Sequence, residues 1–141
     1  MRRALLAILI LAASAAAARA QGVVFVLNSG AASISVVDMA ARKEVRRIPA
    51  LREPHHLVLS PDKRSLLVGD TAANEMLFLD PATGALQKRI PMSDPYQFGW
   101  SPDGQRFVAA ALARNQIDVY DGKTFALVKR FQVARSEEHT S

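Results

Sequence analysis

Val58-Leu59-Ser60-Pro61-Asp62-Lys63-Arg64-Ser65-Leu66-Leu67-Val68-Gly69 decides the fold, because the chain writes it twice. The second version runs Phe98-Gly99-Trp100-Ser101-Pro102-Asp103-Gly104 and on into Arg106-Phe107-Val108-Ala109. Proline pre-sets φ at the second turn position, and Asp and Gly suit the turn positions after it. Each version therefore reads as a hairpin between two apolar strands. Further landmarks repeat around it. Asp38 closes Ile34-Ser35-Val36-Val37, Asp80 closes Met76-Leu77-Phe78-Leu79, and Asp121 closes Ile117-Asp118-Val119-Tyr120. The steps are 41 or 42 residues. Ten residues after each Asp stands a large apolar residue behind two basic ones: Arg46-Arg47-Ile48, Lys88-Arg89-Ile90 and Lys129-Arg130-Phe131. A period of about 40–45 residues carrying four short strands is that of a β-propeller blade.

The predicted fold is all-β, a partial β-propeller of about two and three-quarter four-stranded antiparallel blades over residues 23–133. Strands are expected at 23–27, 33–37 and 44–48, then at 56–59, 65–69, 75–79 and 85–90. A third set is expected at 97–100, 106–110, 116–120 and 125–131. Chain order within a blade runs from innermost to outermost, and the first unit lacks its innermost strand. A second turn, Asp80-Pro81-Ala82-Thr83-Gly84, needs positive φ at Gly84. Gly69 and Ala109-Ala110-Ala111 mark tight packing, and Trp100 reads as core between blades. The basic pairs fall on the outermost strand, a sheet edge that charge protects from pairing; the rival reading is an anionic ligand patch. Seven prolines are too frequent for long helices, and apolar runs of four to six residues are strand length.

The two ends stand apart from the repeat. Met1-Arg2-Arg3, an apolar run from Ala4 to Ala17 and Ala18-Arg19-Ala20 read as a signal peptide, residues 1–20, cleaved after Ala20. A membrane anchor is the rival, but the run is short of the ~20 residues that span a bilayer. The mature chain is thus expected in the periplasm or secreted, with no membrane attachment after cleavage. Residues 134–141 form a polar tail. Its heptad Arg135-Ser136-Glu137-Glu138-His139-Thr140-Ser141 resembles a translated sequencing adapter, and a disordered tail is the rival. An array of fewer than three full units is also expected to expose apolar sheet and to associate.

Composition excludes several classes. Without cysteine there is no disulfide or thiolate metal site. Taking Arg2, Arg3 and Arg19 from 18 basic residues leaves 15 against 13 acidic ones, a charge of +2. That is no basic face for nucleic acid. Phosphate-loop, dinucleotide, zinc-protease and nucleophile-elbow motifs are missing, as is the Cys-x-x-Cys-His of covalent haem.

Val24-Phe25-Val26-Leu27-Asn28, Ile34-Ser35-Val36-Val37-Asp38 and Pro54-His55-His56-Leu57-Val58-Leu59-Ser60-Pro61-Asp62 together resemble the YVTN β-propeller repeat. The resemblance covers about Val23 to Val133. It extends to propellers of the cytochrome d1 and lactonase type. Departures are local: Tyr96 replaces His55 one blade on, and Lys63 stands where the later turn has Gly104. The resemblance implies a ring of about six to eight blades, commonly exported.

Propeller sites usually line the mouth of the central channel, which by fold analogy places candidates in 28–33, 49–56, 70–74, 91–97 and 111–115. His55 and His56 are the sharpest. Adjacent strand residues point to opposite sides, so one at most faces the channel, as an axial ligand or a general base, and otherwise the pair is a structural turn. Tyr96 could stack on a ligand or cover the rim. Asp70 and Arg114 could bind a polar ligand or be solvated loop charges. The first functional reading is a non-catalytic binding or scaffold propeller presenting these loops to a protein or small molecule, with no cofactor evident. The alternative is a lactonase-like hydrolase or a cytochrome d1-like haem domain, for which haem would be the cofactor.

Overall fold

In the computed structural model, which describes residues 22–49 and 51–134, eleven strands form three antiparallel sheets. The expected signal peptide and the C-terminal heptad lie outside those residues. The first sheet is β1 (Val23–Asn28), β2 (Ser33–Asp38) and β3 (Lys43–Ile48). The second is β4 (Pro54–Leu59), β5 (Leu66–Asp70), β6 (Glu75–Leu79) and β7 (Leu86–Pro91). The third is β8 (Gln97–Trp100), β9 (Arg106–Ala111), β10 (Gln116–Asp121) and β11 (Leu127–Gln132). Each sheet is ordered as its strands occur in the chain, as the sequence predicts. Every strand lies within two residues of its expected bounds, and the first sheet has three strands.

The repeated turns are held by repeated hydrogen bonds. Ser60 Oγ donates to Asp62 Oδ1 at 2.6 Å, and Asp62 Oδ1 accepts the Arg64 N–H at 3.0 Å. Ser101, Asp103 and Gln105 repeat both distances. Lys63 takes φ 59° where Gly104 takes 69°, so lysine carries a conformation that costs glycine little. In the second turn Asp80 Oδ1 accepts from the Thr83 N–H and hydroxyl, and Asp121 does the same with Thr124. These bonds favour the ionised carboxylates, so Asp62, Asp80, Asp103 and Asp121 all titrate below the ordinary value of 3.8. A depressed folded-state pKa adds stability that is present above the unfolded value and lost as pH falls through the folded one. The unfolding midpoint in urea should therefore hold near pH 5 and fall as the pH drops below 3.8; a midpoint that rises on acidification would contradict this.

The sheets stack face to face. Ile34, Leu51, Leu66, Val68, Leu77 and Leu79 fill the space between the first and second. Between the second and third, Leu67, Met76 and Phe78 meet Phe98, Phe107 and Tyr120. Phe107, fully buried, centres an aromatic group with Trp100 at 4.8 Å, Phe125 at 5.1 Å and Phe98 at 5.6 Å between ring centroids. Trp100 Nε1 donates to the Gly122 carbonyl, which satisfies its one donor. Gly69 is required by close approach: a Cβ there would lie 2.3 Å from the Pro95 carbonyl oxygen and 2.6 Å from the Phe98 ring. The middle strands of the second sheet, β5 and β6, are covered on both faces. Val24 and Val26 on the first, and Val108 and Phe131 on the third, are exposed.

The outermost strands are exposed, as an edge should be. Arg47 pairs with Glu44 and Arg89 with Glu75 in the open, and Lys88 lies 4.2 Å over the Phe78 ring. Arg130 breaks this pattern, because its partner is buried.

Candidate functional site

The connections between sheets and the loops between second and third strands gather at one end. Two aspartates tie them together. Asp70 Oδ1 accepts the N–H groups of Glu53 and Ala73 at 3.0 Å each, and Oδ2 accepts the Arg52 N–H at 2.7 Å. With 2% exposure, Asp70 is a buried brace and not the solvated loop charge that is its default reading in the sequence. Asp94 does the same one blade on: Oδ2 accepts the Ala113 N–H at 2.7 Å, and its own N–H donates to Asn74 Oδ1 at 3.0 Å. Backbone bonds from Thr71 to Glu53, Met92 to Asn74 and Tyr96 to Ala110 complete the lacing. The rim is pre-organised by side chains as well as by strands.

His55 on β4 meets Tyr96 in the connection that leads into β8, their rings 3.7 Å apart and tilted by 32°. His56 packs edge-on against Phe98 at 4.9 Å. The two histidines therefore do not diverge as strand alternation alone requires. The register of β4 on β5 shifts between Pro54 and His56, and such a bulge re-aims side chains, so both rings lie against residues of the third blade. Arg114 is exposed, and its Nη2 donates to Asn74 Oδ1 at 2.9 Å. Among the described residues no three His, Cys, Asp or Glu side chains stand close enough to hold a metal ion.

One cluster escapes a motif-by-motif reading of the sequence. Asp118, on β10, is fully buried. Arg130 Nε donates to Asp118 Oδ1 and Nη2 to Oδ2, both at 2.7 Å, a bidentate fork. The Tyr120 hydroxyl and Gln116 Nε2 donate to Oδ2 at 3.0 and 3.2 Å. Burial alone would push the Asp118 carboxyl up; the bonds from Arg130, Tyr120 and Gln116 outweigh it and hold the group below the ordinary range. The Tyr120 hydroxyl, buried and facing that carboxylate, is pushed up to about 12. Gln116 Nε2 also reaches Ser93 Oγ at 3.2 Å. The available signal was the repeat itself: Asp118 and Tyr120 stand where the previous blade has Leu77 and Leu79.

Stacked antiparallel sheets, joined so that like loops collect at one end, define a β-propeller. A family model for YNCE-like beta-propellers matches residues 4–141, and the chain belongs to that family, which is related to YVTN-type repeats. No curated protein matches the chain. Among solved structures it is similar to Kuenenia stuttgartiensis hydrazine synthase, at 23% identity and TM-score 0.66, over 80% of this chain and 33% of that one. A putative 6-phosphogluconolactonase from Bacteroides uniformis matches at 20% identity and TM-score 0.59, over 79% and 37%. A dihydro-heme d1 dehydrogenase in complex with DHE matches at 16% identity and TM-score 0.61, over 79% and 24%. These likenesses are of fold. The chain spans well under half the length of each structure.

Proposed function

We propose that the chain belongs to an exported binding propeller whose rim presents the His55–Tyr96 pair to a protein or small molecule. The observation that supports this reading most is the bracing of the rim by Asp70 and Asp94. Loops fixed before contact lose less conformational freedom on binding, and a stacked imidazole–phenol pair offers a flat surface with polar edges. Export rests on the leader-like residues 1–20. The test is capture by the immobilised chain, set against His55→Ala/Tyr96→Ala and against Asp103→Asn in a turn at the opposite end. Retention should fall at least tenfold with the rim variant and stay unchanged with Asp103→Asn. Equal retention by all three would sink the reading. Titration with hemin separates the haem alternative: a Soret shift abolished by His55→Ala or His56→Ala would favour a haem carrier instead.

A further inference from the structure

We propose that the groove between the second and third blades is a binding site for a small organic carboxylate with an apolar body, distinct from the rim pair. An open cleft of about 390 Å³ lies there, bordered by Asn74, Ser93, Arg114, Tyr120 and Arg130, with Phe125 on its apolar side. That volume is within the range of small-molecule sites, about 300–1,000 Å³.

The repeat supplies an internal control. One period earlier in the chain, the counterparts of Asn74, Arg114, Asp118 and Tyr120 are Ala32, Ala73, Leu77 and Leu79. Register supports the match, since Leu77 faces Arg89 and Asp118 faces Arg130 across the outermost pair. Between the first two blades those positions are apolar, and Leu77 and Leu79 are closed into the core. One period on, the same positions are polar: Asn74, Arg114 and Tyr120 border a cleft, and Asp118 is buried behind its partners Tyr120 and Arg130. A propeller interface does not need that polarity, and burying a carboxylate costs several kcal/mol before its partners offset it. A cost carried at one interface and avoided at its twin points to use.

The chemistry of the lining selects the ligand. Arg130 spends Nε and Nη2 on Asp118, so the pair is neutral and Nη1 remains for a guest. Arg114 spends one N–H on the neutral Asn74 amide oxygen, and among the described residues no carboxylate lies within ion-pair distance of it. Ser93 Oγ accepts from Gln116, which leaves its hydrogen to donate. Donors therefore border one cleft beside a guanidinium that makes no direct ion pair among the described residues. A planar guanidinium matches a carboxylate in shape as well as charge, and the ring of Phe125 offers contact to the body behind it.

Benzoate tests this in the full chain at low ionic strength, with benzamide as the neutral body and inorganic phosphate as the bare anion. Calorimetry should show saturable benzoate binding at least tenfold tighter than either control. Arg114→Gln should weaken it at least tenfold and Ser93→Ala several-fold, with far-UV circular dichroism unchanged, while His55→Ala/Tyr96→Ala should leave it unaltered. The absence of saturable benzoate binding would overturn the proposal. So would benzamide or phosphate binding as tightly, or an Arg114→Gln variant that binds as the parent does.

Discussion

Phe107→Ala should destabilise the chain by about 3–5 kcal/mol, the range for truncating a buried aromatic residue. Phe107 is fully buried and touches the rings of Phe98, Trp100 and Phe125 at once. Truncation removes both its transfer free energy and the contacts between rings, about 0.5–1.5 kcal/mol for each aromatic pair. It also leaves a cavity that the backbone of β9, held between β8 and β10, cannot close. Trp100, the one tryptophan of the chain, packs on the same ring, so its fluorescence reports the loss directly. Phe107→Leu should cost about 1.5 kcal/mol or less, because it keeps most of the volume. Urea unfolding followed at Trp100 checks both, and equal midpoints for Phe107→Ala and the parent would contradict the packing described.

Arg130→Met should be nearly as damaging, through charge instead of volume. It strips the fork from Asp118 and leaves a buried carboxylate with only Tyr120 and Gln116 as donors. Leaving a buried carboxylate without its counter-ion is costly even though Arg130 itself is exposed, and a fall in melting temperature of roughly 10 °C is expected for a domain of this size. The pH dependence carries the sign. In the parent the Asp118 pKa is depressed, so its contribution is present above 3.8 and lost below. In the variant burial dominates and raises that pKa. The damage should then be greatest near neutrality and shrink as acid protonates the carboxyl. Melting temperatures of parent and variant across pH 4–7 would show a gap that narrows toward acid; a constant gap would mean that Asp118 is not the group responsible.

Much of the fold was legible in the sequence because the repeat is carried by residues with narrow backbone duties. The aspartates of the Ser-Pro-Asp turns and of the second turns accept nearby backbone N–H groups, so their spacing fixes where strands begin and end. Gly84 takes φ 68° and Gly69 leaves no room for a Cβ. The rim was legible only as an address. That Asp70 is a brace depends on the backbone N–H groups of Arg52 and Glu53, far away in the chain. That both histidines face the third blade depends on a bulge, which alternation does not reveal. Arg130 was hidden by its likeness to Arg47 and Arg89: all three close a basic pair, and only the burial of Asp118 separates one from the others. The signal was a departure from the repeat, Leu77 and Leu79 giving way to Asp118 and Tyr120, and a reading tuned to what recurs passes over what does not.

The central claim is that the third blade holds a ligand site where the repeat itself would place core. The most direct measurement grafts the second blade's chemistry onto the third in one variant, Gln116→Glu/Asp118→Leu/Tyr120→Phe. Glutamate can then pair with Arg130 as Glu75 pairs with Arg89, and no buried donor is left without an acceptor. Replacing a buried ion pair with apolar residues is often neutral or stabilising. The variant should melt at or above the parent's temperature and lose benzoate binding. A variant that melts well below the parent, or that still binds benzoate as the parent does, would show that the polar cluster serves the fold and not a ligand.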